Sequence, residues 1–230
     1  MSNYWKDLYD TNADKFTDSP LKQVGRTING AEEGASQIEL TIETVRQVLR
    51  LDETDRVVDL CCGNGLITEV IASGVASVIG VDFSEKLIEH ARRRGVASNV
   101  QYLTRDVSAL EPSFFAEANK VCMLVSVQHL NSSEVSRLLR TLAESPSIEA
   151  VFIASVPDAD RLSAFYDDER KMAYYLEREA EGRPHMGTWW SQQQIQALVE
   201  EVGLRVRFLA QHTGLTSAYY RYDCLIERPG

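Results

Sequence analysis

The segment Arg56-Val57-Val58-Asp59-Leu60-Cys61 is an apolar, β-branched run that breaks directly into Cys62-Gly63-Asn64-Gly65. A strand covered on both faces reads as a nearly continuous apolar run. Glycine supplies the positive φ that a sharp turn after such a strand requires. The pattern repeats along the chain. Strands at 77–82, 100–103, 120–127 and 149–156 alternate with helical stripes at 66–73, 84–95 and 131–142. This alternation predicts a doubly wound α/β fold with a mostly parallel sheet and helices on both faces. Ligands in such a sheet bind beyond the carboxyl ends of the strands, near the switch point. A helix at 191–203 and two strands at 204–210 and 218–227 close the fold.

Capping residues sharpen the boundaries. Ser36 and Glu39 stand in capping-box spacing ahead of the stripe Ile38, Ile42, Val45, Val48 and Leu49, and the pairs Asn131/Glu134 and Ser191/Gln194 share that spacing. Residues 1–35 have no clean period, and residues 157–190 interrupt the rhythm with a polar helix followed by Gly187-Thr188-Trp189-Trp190. The expected organisation is one domain over 1–230. It comprises an N-terminal cover (1–35), a ligand-binding core (36–156), a cap insertion (157–190) and a closing helix and strand pair (191–230).

Charge narrows the partners. Twenty-four basic against thirty-four acidic residues leave a formal charge of −10, which argues against nucleic acid, whose binders carry a basic face. No apolar run approaches the roughly 18 residues of a membrane span, and the first residues lack the apolar stretch of a secretory signal. Cys61, Cys62, Cys122 and Cys224 lie in or beside apolar runs without a Cys-x-x-Cys pair. That reads as reduced thiols in a cytoplasmic protein. No His/Cys/Asp cluster has metal-ligand spacing, so no metal is expected. Oligomeric state is left open.

Three strand ends carry chemistry. After the first strand, Cys61-x-Gly63-x-Gly65 lacks the third glycine of a dinucleotide fingerprint, which suits a ligand without a pyrophosphate and disfavours a nicotinamide oxidoreductase. Asp82 ends the second strand, where a carboxylate accepts both hydroxyls of a ribose. Asp106 ends the third, in reach of an adenine amino group. Together they describe a nucleoside-shaped site.

With Val58-Asp59-Leu60-Cys61-Cys62-Gly63-Asn64-Gly65, Gly80-Val81-Asp82-Phe83-Ser84 and Arg105-Asp106 in hand, the chain resembles the class I S-adenosylmethionine-dependent methyltransferases. The resemblance covers residues 36–156 by motif and the rest by element order. It implies a Rossmann-like sheet of seven strands, the last antiparallel. It also implies that Asp59, Cys61, Gly63, Gly65, Phe83 and Ser126 lie against S-adenosylmethionine, that Asp82 binds its ribose, and that Asp106 and the Val107 amide bind its adenine. Cys61 departs from the family, which usually has glycine there.

The fourth strand runs into Val125-Ser126-Val127-Gln128-His129-Leu130, where the family places groups near the transferred methyl. The Asn/Asp-Pro-Pro-aromatic motif of many nitrogen methyltransferases is absent. The expected acceptor is therefore a small molecule, a hydroxyl first and an amine second. A hydroxyl calls for a base that titrates near neutrality, and histidine does so. His129 is the first candidate and His185 the second. Tyr9, Arg26, Tyr166 and Trp189 are candidates for binding the acceptor, with Arg26 suited to an anionic group of substrate or cofactor. Residues 24–30 and 186–190 are also similar to bacterial methyltransferases of sugar and secondary-metabolite pathways. A non-catalytic S-adenosylmethionine-binding protein and a protein methyltransferase are the remaining alternatives.

Overall fold

The computed structural model describes residues 3–28 and 30–229, with Asn3 described by its backbone alone. Met1, Ser2 and Gly230 lie outside the described residues, as does Asn29 of the glycine-flanked segment at 24–30. Seven strands form one sheet: β1 Arg56–Leu60, β2 Ser77–Asp82, β3 Val100–Thr104, β4 Lys120–Leu124, β5 Ala150–Pro157, β6 Arg205–Ala210 and β7 Arg221–Glu227. Their order is β3-β2-β1-β4-β5-β7-β6. Neighbours from β3 through β5 are parallel, and β7 runs antiparallel to both β5 and β6. Strand order reverses between β1 and β4, which sets the switch point there.

The helices are α1 Asn3–Lys15, α2 Ala35–Leu49, α3 Thr68–Ala72, α4 Glu85–Arg94, α5 Ser132–Ala143, α6 Glu169–Ala180 and α7 Gln192–Glu201, with short turns between them. Strand alternation divides the core into two layers. Val58, Val121, Val151 and Cys224 pack with Leu138 and Leu139 of α5 and Ile195 and Val199 of α7. Their chain neighbours Val57, Cys122, Phe152 and Leu225 turn to the opposite face, onto Ile42, Val45 and Leu49 of α2 and Ile71 of α3. Period-2 strands between period-3.6 helices leave both sheet faces covered. Each fully buried Leu or Phe in these layers stabilises the fold by about 1.5–3 kcal/mol.

The capping boxes at Asn131/Glu134 and Ser191/Gln194 both form. The one at Ser36/Glu39 does not: α2 starts at Ala35 behind Gly34, with no side-chain cap. The helix expected at 66–73 is shortened to Thr68–Ala72 because Leu66 and Ile67 complete the turn out of the glycine loop. The fourth strand ends at Leu124, three residues early, since Val125 takes φ +55° and leaves the β region. Residues 3–15, which showed no clean period, are helical. The apolar stripe of α1 is sparse because the helix does not pack into either main layer. It lies against α4, with Ser84 Oγ donating to Asp10 Oδ1 at 2.5 Å and Lys86 paired to Asp14.

Candidate active site

The loop after β1 is bound to the end of β2. Cys62 N–H donates to the Val81 carbonyl at 3.0 Å, and Gly63 N–H donates to Asp82 Oδ2 at 2.9 Å. Asp82 Oδ1 accepts from Ser84 N–H at 2.9 Å, and Ser84 Oγ caps α4 through Leu87 N–H. Asp82 is only 3% exposed, and burial is the main cause that lifts its carboxyl to about 6. A carboxylate offers about four lone-pair sites, so these two amides leave acceptor capacity on both oxygens.

Asp59, one strand over, is 2% exposed. Its Oδ2 accepts from Thr68 Oγ1 at 2.6 Å and its Oδ1 takes a long contact of 3.6 Å from Cys122 Sγ. Burial also lifts this carboxyl to about 6. Cys61 between them adopts φ +60°, the left-handed backbone that explains why glycine is usual at this position. Gly63 has φ +56°, and a Cβ there would meet Val24 Cγ1 at 2.7 Å. The 20–24 turn is thereby pressed onto the loop, and Asn64 Nδ2 donates to the Pro20 carbonyl and to Gln23 Oε1.

Two cavities meet here. The smaller, about 80 Å³, is lined by Asp59, Cys61, Gly63, Asp82, Phe83 and Ser126 among others. The larger, about 750 Å³, lies towards α1, the 157–190 segment and the start of β7. Tyr9, Val24, Arg26, Val125 and His129 line both. His185 lines the larger one.

His129 closes a 3-10 turn at Val127–His129. Its Nε2 lies 3.0 Å from the Tyr9 hydroxyl and its Nδ1 is buried without a partner. Burial, reinforced by the charge of Arg221, lowers its pKa to about 3. A base titrating near neutrality is therefore not what this imidazole offers; it stays neutral throughout the working range. His185 bonds the Tyr166 hydroxyl through Nδ1 at 3.1 Å, and burial pushes its pKa down too. Arg26 is half-buried and pairs with Glu33 at 3.1 Å.

Several expected residues stand elsewhere. A Cβ on Gly65 would strike the Tyr102 hydroxyl at 2.4 Å, so this glycine serves the contact of the loop with β3 and does not line either cavity. Asp106 caps a 3-10 turn by accepting from Ser108 N–H and Oγ, and neither it nor Val107 lines either of these two cavities. Tyr166 and Trp189 are buried against each other and Phe165, behind the cavity wall. In exchange the cavity wall gains Trp5, Val24, Gln128 and Arg221. Arg221 had a visible signal in the sequence, as a cation at the head of an apolar strand run. Trp5 falls in the N-terminal cover expected to shape the acceptor pocket, and Val24 in the glycine-flanked segment at 24–30.

Residues 57–145 match a family model described as a methyltransferase domain. This stretch, 89 of the 230 residues, is thus similar to methyltransferase domains. A ubiquinone biosynthesis O-methyltransferase of Bordetella avium (strain 197N) is 33% identical over 72 residues, 31% of this chain and 30% of the relative. The match thus spans under a third of that relative's length. By structure, the methyltransferase fold extends over nearly the whole chain. A magnesium protoporphyrin IX methyltransferase from Synechocystis PCC 6803, crystallised with bound SAH, superposes with TM-score 0.62 at 19% identity, over 96% of this chain and 100% of that one. A TehB-like SAM-dependent methyltransferase from Corynebacterium glutamicum ATCC 13032 covers 99% of this chain and 100% of its own, with TM-score 0.59 and 12% identity. Among the described residues there is no group of three His, Cys, Asp or Glu side chains arranged to hold a metal ion. No described helix is long and apolar enough to cross a membrane.

Proposed function

We propose that the chain transfers the methyl group of S-adenosylmethionine to a small-molecule acceptor, a hydroxyl oxygen, by direct in-line displacement. The observation that carries this reading is the pair of buried carboxyls, Asp59 and Asp82, at the ends of adjacent strands in one cavity wall. The residues present fit the cofactor. Both acids retain acceptor capacity for hydroxyl and ammonium donors, and Asn64 Oδ1 in the same wall is buried without a partner. The smaller cavity is below the roughly 300–1,000 Å³ of ordinary ligand sites. Room for a nucleoside then comes from displacement of Tyr9 and Val24 or from the larger cavity beside it.

When bound, the cofactor supplies a methyl group activated by its sulfonium. Asp82 would receive the ribose hydroxyls, and the Asp59–Gly63 loop would lie along the methionine part. Thr68 holds Asp59 through Oδ2, and Oδ1 carries only the long Cys122 contact. Phe83 and Ser126 flank the same pocket. Tyr9 fixes the ring of His129, and the unpartnered Nδ1 accepts from the acceptor hydroxyl. Because its pKa is near 3, His129 orients the nucleophile; as the C–O bond forms and the C–S bond breaks, the hydroxyl proton passes to solvent through the larger cavity. Orientation at near contact supplies several kcal/mol of the barrier lowering. The α1 helix and the 157–190 cap exclude water from the transfer, as covers of this kind do.

Oxygen is favoured by the O-methyltransferase whose segment matches. The weak basicity of His129 favours a second reading, an amine acceptor that needs no base once neutral. Four free thiols support a cytoplasmic site of action. Calorimetry with S-adenosylmethionine and S-adenosylhomocysteine tests the cofactor, with micromolar affinity, about −8 kcal/mol, expected. Mass spectrometry of methylated products from hydroxyl and amine libraries decides the acceptor. Binding without turnover on any of them would leave a cofactor-binding protein, and no binding at millimolar ligand would end the reading.

A further inference from the structure

Resting on the methyltransferase reading, which places the acceptor in the larger cavity, we propose that Arg221 anchors an oxyanion of that acceptor. The substrate class is then an organic acid, bearing a carboxylate or a phosphonate or phosphate group.

A chain of formal charge −10 sets three cations, Arg26, Lys171 and Arg221, and one carboxylate, Glu33, in the wall of this cavity. Two of the cations are paired: Arg26 with Glu33 at 3.1 Å and Lys171 with Asp167 at 2.6 Å. Arg221 is 7% exposed, and among the described residues no carboxylate lies within ion-pair distance of it. It donates through Nη1 to the Ser155 carbonyl and through Nη2 to Met186 Sδ at 2.8 Å. Three of the five guanidinium N–H groups remain. Taking a guanidinium out of water without a paired counter-ion is unfavourable, and an anionic ligand offsets that cost.

The position is built. Ser155, at φ +62°, sits where the β5–β7 register shifts between Ile153 and Val156, and this irregularity coincides with its carbonyl meeting Arg221. Its N–H is held by Asp223 Oδ1 at 2.7 Å, and Gln211 Nε2 clamps both Ser155 Oγ and Asp223. Asp223 is thus committed to the backbone and to Gln211; it feels the charge of Arg221 but makes no ion pair with it. Arg221 also lies over the Tyr220 ring at 5.1 Å, which fixes the plane of the fork. A planar fork held this way matches an oxyanion through two parallel hydrogen bonds. The charge of Arg221 reaches His129, so an acid anchored here lies in range of the imidazole assigned to the nucleophile.

Calorimetry on the full chain, with and without S-adenosylhomocysteine, tests this with benzoate, phenylphosphonate and the uncharged isostere benzamide as probes. Wild type should bind at least one of the two acids tenfold or more tightly than benzamide, and the arm that binds separates a carboxylate from a phosphonate. Arg221→Gln and Arg221→Met should each lose at least tenfold for the acid, a change set by charge-assisted hydrogen bonds, while S-adenosylhomocysteine affinity stays the same. Equal affinity for acids and amide in wild type, or acid binding that survives either folded variant, overturns the anchor. The wild-type comparison decides even if neither variant folds. Acid preference without S-adenosylhomocysteine binding would overturn the methyltransferase reading and leave the anchor; the reverse result would remove only the anchor.

Discussion

The imidazole of His129 packs against the indole of Trp5, with ring centroids 4.1 Å apart and the planes tilted by 47°. A residue at the end of the fourth strand is therefore sealed by the first helix of the chain, 124 positions away in sequence. Together with Tyr9, this contact removes His129 from water and pulls its pKa from 6.5 to about 3. Trp5→Ala should readmit water and return the titration towards 6.5. Proton NMR of the imidazole would follow it, and an unshifted His129 in the folded variant would refute the sealing. The sign for stability is also fixed. A depressed histidine contributes stability that is lost as pH falls from 6.5 towards 3, since only the unfolded chain takes up the proton. The gap between wild type and His129→Gln should narrow over that window.

Turnover should respond to the same residue in a different way. On the proposed reading, His129→Ala removes a buried acceptor that holds the nucleophile's hydroxyl. Leaving that hydroxyl unsatisfied costs about 1–3 kcal/mol, or roughly tenfold to a hundredfold in rate by the same energy scale. Cofactor affinity should not change. The wild-type rate should show no inflection near pH 6.5, because the ring is already neutral there. An inflection at that pH that disappears in the variant would reinstate His129 as a titrating base.

Asp59 and Asp82 predict the pH dependence of cofactor binding. Their carboxyls are raised from 3.8 to about 6 by burial. The folded state holds their protons between those values and the unfolded chain does not, so each makes the unliganded protein less stable as pH rises from 3.8 to 6. A ligand that donates hydrogen bonds to ionised carboxylates binds more tightly over the same rise. S-adenosylhomocysteine should lose about tenfold or more in affinity between pH 7 and pH 5. Asp82→Asn should weaken binding at pH 7 by at least tenfold and flatten the profile. Calorimetry across this range checks both, and a flat wild-type profile would remove the two acids from the ligand.

The sheet was legible because its strands are buried on both faces and written as apolar runs between glycines and caps. β2 was read to the residue, and α4 and α5 to within a residue of their ends. Asp82 was legible for the same reason, as an acid at the end of a strand, whereas Asp59 was reached through the family resemblance of its loop. What escaped depends on contacts between distant segments. Nothing near position 5 announces that Trp5 will cover His129, and the spacing around Asp106 does not tell that Ser108 will take its carboxylate. Arg221 was read as one more residue of a closing strand, since its role depends on Ser155 and Met186 from elsewhere in the chain.

Gly187 offers a test of the cap that leaves the cofactor loop untouched. It has φ +94°, a conformation that side chains resist, and a Cβ there would lie 2.3 Å from the Gln128 carbonyl oxygen and 3.2 Å from Trp5. The adjacent Thr188 N–H donates to that same carbonyl at 2.7 Å, and Thr188 Oγ1 bonds the Leu130 carbonyl. Residues 186–188 are thus latched onto the turn that carries His129. Gly187→Ala must either strain the backbone or break the latch, at about 1–3 kcal/mol. For a chain of this size that corresponds to a melting temperature lower by roughly 2–4 °C per kcal/mol. The loosened latch should raise the acceptor KM and lower kcat, because the wall behind His129 and Met186 shifts. S-adenosylhomocysteine affinity should stay within about twofold, since the loop from Cys61 to Gly65 and Asp82 makes no contact with the latch. Kinetics and calorimetry on this one variant separate the two halves of the site. A variant that melts lower but keeps wild-type kinetics would reduce Gly187 to a packing residue, and a tenfold loss of cofactor affinity would show that cap and cofactor loop move as one unit.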